Sequence, residues 1–234
     1  MTASTTVTDI AANLQAVRER IARAAARAGR DPAEVTIVGA TKTISPETIA
    51  LAHAAGLREC GENWVQEAQP KITALSSLQP RPTWHLIGRL QTNKVNAALR
   101  LFDVIQTVDS LRLGQAIAKR ATHPITVLVE VNVAGEATKG GVLPQDTPDL
   151  VAALQALPHL VVAGLMTVAP LAQDPEEVRP VFRRLRELRD RCGLTALSMG
   201  MTDDFEVAVE EGATIVRIGR AIFGPRPPAR GGEQ

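Results

Sequence analysis

The chain has 234 residues, enough for one large domain or two small ones, and needs no disulfide or metal to complete a core. Apolar residues make up 45% and charged residues 22%, which excludes a chain that is disordered or collagen-like as a whole. The net charge of +1 gives no strong field, so neither nucleic acid nor a membrane surface is expected as a partner.

The cysteine and histidine content predicts no metal site. Cys60 and Cys192 form no CxxC spacing, and the four histidines complete no zinc pattern. Unpaired cysteines are typical of a reducing compartment. The amino terminus has no apolar core of signal-peptide length, and no apolar run approaches the length of a membrane span. The sequence therefore predicts a cytoplasmic protein.

Strand and helix patterns alternate along the whole chain. A first helix is predicted over 8–29 and a buried strand over 35–42, after which Ser45 and Pro46 have the pattern of a helix cap and first turn. Further strands are predicted over 57–61, 83–88, 104–110, 125–133, 161–168 and 195–201 and from 214 onward. Helices are predicted between them, over 64–77, 91–99, up to about 120, over 147–157 and 175–191, and after a cap at Thr202 and Asp203.

Eight strands separated by helices predict a closed (β/α)8 TIM barrel of the α/β class. Residues 1–224 are expected to form this one barrel, and the tail 225–234 is expected to be disordered. The alternative fold is a doubly wound open sheet, which usually carries a glycine-rich turn after its first strand. Here that turn reads ATKTISPE and contains no GxGxxG motif.

Polar residues follow or end most of the predicted strands, where a barrel places its active site. Lys42 is the sharpest candidate, because burial lowers the pKa of an ammonium group and the neutral amine can attack a carbonyl to form a Schiff base. The alternative is a lysine that extends into solvent and pairs with Glu62. The other four lysines are expected to be solvated. The full set of strand-end residues is Lys42, residues 61–63, His85, Asp109, Ser110, Asn132, Met166, Thr167, Ser198 and Arg217.

A phosphate site is predicted from the segments after the seventh and eighth strands, where many barrels bind phosphate with backbone N–H groups. The first segment is Ser198–Thr202, with Met199 and Gly200 inside it, and the second contains Gly219 and Arg220.

Three other features are assigned structural roles. His85 is expected to be a satisfied internal histidine rather than a base, and Trp64 and Trp84 are expected to be core residues. The arginine-rich helix 175–191 is expected to present a solvated face with pairs four residues apart.

Several long motifs resemble a known family. They are ATKTISPETI, GENWVQEAQPK, WHLIGRLQTNK, VDS, the VNVAGEATKGG loop, GLMTV and LSMGMTDDFEVAVEEGATIVRIGRAIFG, and they extend from about residue 35 to 224. On these motifs the chain is similar to the YggS/PROSC-type pyridoxal-phosphate-binding proteins, which are related to the barrel domain of alanine racemase.

The resemblance implies pyridoxal 5′-phosphate (PLP) as cofactor, with its internal aldimine on Lys42. It implies that Arg217 approaches the pyridine nitrogen and that Asn63 and His85 line the cofactor. The phosphate contacts implied are Ser198, Met199, Gly219 and the backbone around Arg220. One departure stands out, since the family's usual RIGTAIFG reads RIGRAIFG and Arg220 replaces a threonine.

The function implied is PLP homeostasis: binding, carrying and buffering a reactive aldehyde without robust catalysis. Racemase chemistry needs a second base, normally a tyrosine, and this chain contains no tyrosine. An arginine also cannot give a proton to the pyridine nitrogen. The expected partners are PLP and PLP-dependent apoenzymes, and the chain is expected to be a monomer. The alternatives are a minimal amino-acid racemase and a cofactor-free aldolase that uses Lys42.

Overall fold

The computed structural model of the protein describes residues 7–225, and eight parallel strands in it close into a barrel in chain order. The closure excludes the open sheet and confirms the predicted barrel, because β1 is hydrogen-bonded to β2 on one side and to β8 on the other. The strands are β1 (Thr36–Ala40), β2 (Glu59–Glu62), β3 (Thr83–Leu86), β4 (Val104–Val108), β5 (Ile125–Glu130), β6 (Leu160–Met166), β7 (Ala196–Ser198) and β8 (Ile215–Ile218).

Helices connect successive strands and surround the barrel. They are α1 (Val7–Arg27), α2 (Pro46–Ala54), α3 (Val65–Ala74), α4 (Val95–Leu101), α5 (Leu111–Ala118), α6 (Thr147–Gln155), α7 (Arg179–Arg191), α8 (Phe205–Glu210) and α9 (Arg220–Phe223). The predicted tail falls on residues 226–234, apart from its first residue, and so lies outside the described part of the chain.

The sequence predicted the capping residue of α2 correctly but not that of α8. Ser45 caps α2 as predicted, because its hydroxyl accepts the backbone N–H of Thr48. The predicted cap of α8 at Thr202 and Asp203 was wrong. Asp204 occupies that position, and its carboxylate accepts the N–H of Met201 at 2.6 Å, bracing the loop before the helix.

The main core lies between the strands and the helices. On α1, Ile10, Leu14, Val17 and Ile21 repeat at helical spacing and are almost fully buried. This stripe packs α1 against the barrel and brings it into contact with α2, α8 and α9. Burial of each such side chain contributes about 1.5–3 kcal/mol, so this contact is a major source of the stability of the fold.

The charged face of α7 is only partly as predicted. Its arginines do face outward, but most of their ion pairs run to the end of α8 rather than along α7. Arg179, Arg183 and Arg186 all contact the buried carboxylate of Glu211 at 3.0–3.2 Å. Burial alone would raise the pKa of Glu211, but hydrogen bonds from Arg183 and Arg179 and the charge of Arg186 lower it.

Within residues 7–225, no helix is both long enough and apolar enough to span a bilayer.

Candidate cofactor-binding site

The strand register places Lys42 next to the predicted phosphate segment. In the β1–β8 pair, Gly39 lies opposite Ile218, so Ala40 lies opposite Gly219, and Lys42 follows two residues later. Neighbouring strands are about 4.8 Å apart, so Lys42 and the Gly219 segment share one sector of the barrel mouth. The structure thus brings together two features that are 177 positions apart in the sequence.

A buried ion cluster fixes the backbone around Lys42. Thr41 donates its hydroxyl to Glu62 Oε1 at 2.6 Å, and its carbonyl accepts Lys71 Nζ at 2.7 Å. Thr43 has a left-handed φ of +65°, which is unfavourable for a β-branched residue, and its N–H is bound by Glu67 at 2.5 Å. Lys42 therefore lies between Thr41 and Thr43, and both of these residues are held by hydrogen bonds to the ion cluster.

The prediction for Lys71 was wrong. Its side chain was expected in solvent, but only 6% of the residue is exposed. Besides Thr41, its ammonium group contacts Glu62 Oε1 at 2.9 Å and Glu67 Oε1 at 2.7 Å. A buried ammonium with two carboxylates and a carbonyl has its charge and hydrogen bonds satisfied, which is the condition for keeping it inside.

The two carboxylates in this cluster differ in their ionisation. Burial raises the pKa of Glu62, which is fully enclosed and whose Oε2 atom has no hydrogen-bond partner among the described residues. Burial alone would also raise the pKa of Glu67, but hydrogen bonds from Lys71 and Thr43 outweigh it and lower this pKa.

Arg217 is the buried cation on the other side of the mouth. Its guanidinium donates to Ser198 Oγ at 2.6 Å and to the Thr167 carbonyl at 2.8 Å. Burial lowers the pKa of Arg217 to about 10, and the charges of Asp204 and Glu130 act in the opposite direction. The side chain therefore stays protonated at neutral pH with neutral groups in direct contact.

A line of buried side chains continues from Arg217 through the barrel interior. Ser198 Oγ donates to Gln106 Oε1 at 2.6 Å, and Gln106 Nε2 lies 2.9 Å from His85 Nδ1. His85 Nε2 lies 2.8 Å from Glu59 Oε2. Ser198 ends β7 and Glu59 begins β2, so the line crosses the barrel from its carboxyl end toward its amino end.

Three of the predicted cofactor contacts, in or next to this line, already have protein partners. Both nitrogens of His85 already have protein partners, as expected for a satisfied histidine. The hydroxyl proton of Ser198 goes to Gln106, and the backbone N–H of Met199 goes to the Ile215 carbonyl. The predicted phosphate contacts of Ser198 and Met199 therefore require groups that are engaged inside the barrel in this structure.

The two predicted phosphate segments differ in the space around their glycines, Gly200 and Gly219. Gly200 has a φ of +90°, and a Cβ there would lie 2.6 Å from Ala208 Cβ, so no other residue fits. At Gly219 a Cβ would meet only Ala40, at an ordinary 3.6 Å. The missing side chain at Gly219 thus leaves open space at the mouth, which suits the close approach of a phosphate to the backbone.

Arg220 does not present a free charge to this space. Its guanidinium is exposed and contacts both oxygens of Asp203 at 2.5 Å. The charge gained at this position in the phosphate segment is therefore balanced by a neighbouring carboxylate.

Asn63 lies at the mouth, directly after β2, as expected. A Cβ at Gly88 would lie 2.3 Å from the Asn63 carbonyl oxygen, so a glycine there lets the two segments touch. Trp84 is a core residue as predicted, but the prediction for Trp64 was wrong because it is 54% exposed at the start of α3.

The sequence reasoning missed Gln106, Glu59 and Lys71. Gln106 could have been found, since it is the polar residue at an inward position of the apolar strand VIQTV. Glu59 and Lys71 lie in polar surroundings along the chain, where nothing local indicates burial or a distant partner.

Comparison with known proteins identifies the family. The family model for the alanine racemase N-terminal domain matches residues 12–227. A pyridoxal phosphate homeostasis protein of Aquifex aeolicus is 48% identical over 222 residues, which cover 91% of this chain and 96% of that protein. This chain belongs to the family of pyridoxal phosphate homeostasis proteins.

Solved structures agree with membership of the pyridoxal phosphate homeostasis family. The structure of PipY from Synechococcus elongatus PCC7942 with PLP bound is 33% identical, with a TM-score of 0.81 over 92% of this chain and all of that one. Alanine racemase from Corynebacterium glutamicum is 17% identical, with a TM-score of 0.67, and this chain covers 63% of it. That likeness shows a shared barrel fold. The resemblance predicted from the motifs is therefore confirmed.

Proposed function

We propose that this protein binds PLP covalently through Lys42 and carries the cofactor without robust catalysis. The observation that carries the proposal is the β1–β8 register, which sets Lys42 beside the open backbone at Gly219. The relative PipY, one-third identical over its whole length, has a structure with PLP bound, which supports the same ligand here.

Each part of the mouth would then have one role. PLP supplies an aldehyde, and the Lys42 amine condenses with it to a Schiff base with loss of water. The cluster around Thr41 and Thr43 fixes the direction of Lys42. Space at Gly219 admits the phosphate to the backbone, with Ser198 and Met199 beside it, and Asn63 borders the cofactor from β2.

Arg217 disfavours robust catalysis. A guanidinium can donate hydrogen bonds but cannot release a proton at neutral pH. A pyridine nitrogen facing Arg217 therefore stays unprotonated, which makes the ring a weaker acceptor for carbanion electrons.

A second base is also lacking among the groups that were expected to provide one. The chain contains no tyrosine, and the ring nitrogens of His85 are bound to Glu59 and Gln106 in the barrel interior. A general base needs a free lone pair within reach of the substrate proton. His85 does not meet that condition in this arrangement, so a two-base racemisation has support on one face only, from Lys42.

The same proposal covers location and partners. Cys60 and Cys192 are free thiols, as suits the reducing cytoplasm, and burial raises the pKa of Cys60 to about 12, so it is unreactive. In that compartment a monomer that binds PLP reversibly would give the cofactor up to PLP-dependent apoenzymes.

The test is an absorption spectrum of the purified protein with PLP and with pyridoxal. A visible imine band with PLP, and far weaker binding of pyridoxal, is the expected result, because charge-assisted bonds to the phosphate carry much of the affinity. No band would favour the cofactor-free aldolase. Racemisation of alanine or serine at rates typical of enzymes, about 10 s⁻¹, would favour the minimal racemase instead.

A further inference from the structure

The line of hydrogen bonds from Arg217 to Glu59 has only one consistent direction. Arg217 can only donate, so Ser198 Oγ accepts from it and sends its single proton to Gln106 Oε1. The other end of the Gln106 amide, Nε2, must then donate to His85 Nδ1. His85 is therefore neutral, with its proton on Nε2, and donates to Glu59.

This direction conflicts with a phosphate contact at Ser198. A phosphate dianion offers only acceptor oxygens, so Ser198 could bind it only by giving it the proton now shared with Gln106. Two oxygens, Ser198 Oγ and Gln106 Oε1, would then face each other at 2.6 Å with no proton between them. Two buried oxygens this close with no proton between them are unfavourable, so the Gln106 amide has to turn over.

Reversal of the Gln106 amide changes the protonation that is required of His85. With Gln106 Nε2 turned to Ser198, Gln106 Oε1 faces His85 Nδ1 and requires a proton there. His85 Nε2 still faces the carboxylate of Glu59 at 2.8 Å and keeps its own proton. Both ring nitrogens are then donors, so the imidazole becomes an imidazolium paired with a carboxylate.

We propose that binding of the PLP phosphate at Ser198 is coupled, through reversal of the Gln106 amide, to uptake of one proton by His85. The proposal rests on the proposed function, because it needs the phosphate to reach Ser198. The proton balance is complete, since the hydroxyl proton of Ser198 turns from Gln106 to a phosphate oxygen and one solvent proton binds His85. Gln106 and His85 act as positioning residues in this account.

The solvent proton has a route from the amino-terminal end of the barrel. The Glu59 side chain is 24% exposed and lines a groove of about 580 Å³ between α1 and the start of β2. Leu14, Arg18 and Arg58 also line this groove. The proton therefore reaches His85 from the end of the barrel opposite the cofactor.

Other charged groups near the line do not supply the proton. Cys60, next to Glu59 on β2, has a pKa of about 12 and stays neutral. Beside β3, the Asp103 carboxylate is engaged by the Trp84 N–H and by Arg81. Beyond Arg217 lie Asp204 and Glu130, which favour its charged form. Glu59 is thus the carboxylate in direct contact with His85.

The test uses 4-deoxypyridoxine 5′-phosphate, which has the ring and phosphate but no aldehyde, so no imine forms. Long-range ¹H–¹⁵N spectra of the full chain resolve its four histidines, and the His85→Gln variant assigns the relevant signals. His85 is expected to be the neutral Nε2–H tautomer without ligand and to carry protons on both nitrogens with it. Calorimetry in buffers of different ionisation enthalpy is expected to give uptake of about one proton per ligand.

Two variants at position 106 separate the link from binding itself. Gln106→Met has no amide to reverse, so the ligand is expected to bind with the protonation of His85 unchanged and with proton uptake near zero. Gln106→Glu accepts from both neighbours, so His85 is expected to be protonated before the ligand arrives. Above about pH 7.5, where the phosphate is a dianion, wild-type affinity is expected to fall by up to about tenfold per pH unit.

The outcomes distinguish this inference from the function on which it rests. Failure of the phosphate ligand to bind at millimolar concentration would count against the proposed function. Tight binding with His85 still in its neutral Nε2–H form, and with no proton uptake, would overturn the coupling and leave the proposed function standing.

Discussion

The two sides of the barrel mouth each bury one cation, and they surround it differently. Near the carboxyl ends of β1 and β2, Lys71 contacts two carboxylates and a carbonyl directly. Beside β7 and β8, Arg217 contacts a hydroxyl and a carbonyl, and its carboxylates act only from a distance. The charge of Lys71 is neutralised by carboxylates in direct contact, whereas the hydrogen-bond partners of Arg217 are uncharged.

We interpret Lys71 as a cation that stabilises the fold, and Arg217 as one that remains available to a ligand. Lys71 stabilises the conformation of Thr41 and Thr43, on either side of Lys42, and its own charge is neutralised by Glu62 and Glu67. The hydrogen-bond partners of Arg217 are uncharged and do not neutralise it. An electron-rich pyridine nitrogen or an anion near Arg217 would therefore be stabilised. Substitutions of Lys71 and Arg217 should therefore have different effects.

The largest effect is expected on the Lys71 side. Lys71→Met leaves Glu62 and Glu67 buried without their cation, which costs about 3–5 kcal/mol of unfolding free energy. Urea denaturation measures it, and the solvent-exposed Lys119→Met serves as the matched control. A loss below about 1 kcal/mol, the level of a surface ion pair, would show that the cluster does not stabilise the fold.

Removal of Arg217 should lower both the stability of the fold and the affinity for PLP, and the two effects can be measured separately. Arg217→Met leaves Ser198 Oγ and the Thr167 carbonyl without a donor, at a cost of about 1–3 kcal/mol. Affinity for PLP is expected to fall at least about tenfold, because a charge-assisted contact is lost. Equilibrium titration followed by the imine band measures the second effect. Undiminished affinity in a folded variant would remove Arg217 from the site.

The sequence was sufficient to predict the barrel, but it predicted only part of the Lys71 side of the mouth. Strand–helix alternation was enough to predict the fold, since several of the buried strands are continuous apolar runs, such as ITVLVE and LVVAGLM. Lys42 was predicted as a site residue because it directly follows the apolar run VTIVGAT. Lys71 was missed because VQEAQPKITA has the composition of a solvated helix, and its burial depends on Glu62, nine residues earlier, and on Thr41, thirty residues earlier.

The interior line could be predicted only in part, for a related reason. Ser198, His85 and Arg217 each stood out at a strand end, but their mutual contacts depend on the inward direction of three side chains across the barrel. Gln106, which joins them, sits in mid-strand. The pairing of Arg220 with Asp203 likewise depends on how two loops meet at the mouth.

The pH dependence of stability should differ in sign between the two carboxylates of the Lys71 cluster. The pKa of Glu67 is lowered by folding, so its contribution is present above the unfolded value and is lost as the pH falls through the folded value. The pKa of Glu62 is raised, so its contribution is present at low pH and is lost as the pH rises from the unfolded to the folded value.

Urea unfolding of Glu67→Gln and Glu62→Gln from about pH 3 to about pH 8 checks these signs. The deficit of Glu67→Gln relative to wild type should grow with rising pH, and that of Glu62→Gln should shrink. Parallel curves for the two variants would contradict the assignment of a raised pKa to one and a lowered pKa to the other.

The smallest effect on stability is expected at Gly219. Gly219→Ala adds a Cβ that meets only Ala40 at ordinary distance, so the free energy of unfolding should change by less than about 0.5 kcal/mol. Affinity for PLP should nevertheless fall, because the Cβ occupies the phosphate space. The matched Gly200→Ala, at φ +90° and against Ala208, should instead destabilise the fold. Unchanged PLP affinity in Gly219→Ala would move the phosphate elsewhere.

Borohydride reduction of the protein–PLP complex, followed by digestion and peptide mass analysis, directly tests the proposal that Lys42 carries the cofactor. The reduced cofactor is expected on the peptide containing Lys42, and Lys42→Ala is expected to remain folded but to lose both the label and the imine band. Stoichiometric label on Lys71, Lys94, Lys119 or Lys139 with Lys42 unmodified would contradict it.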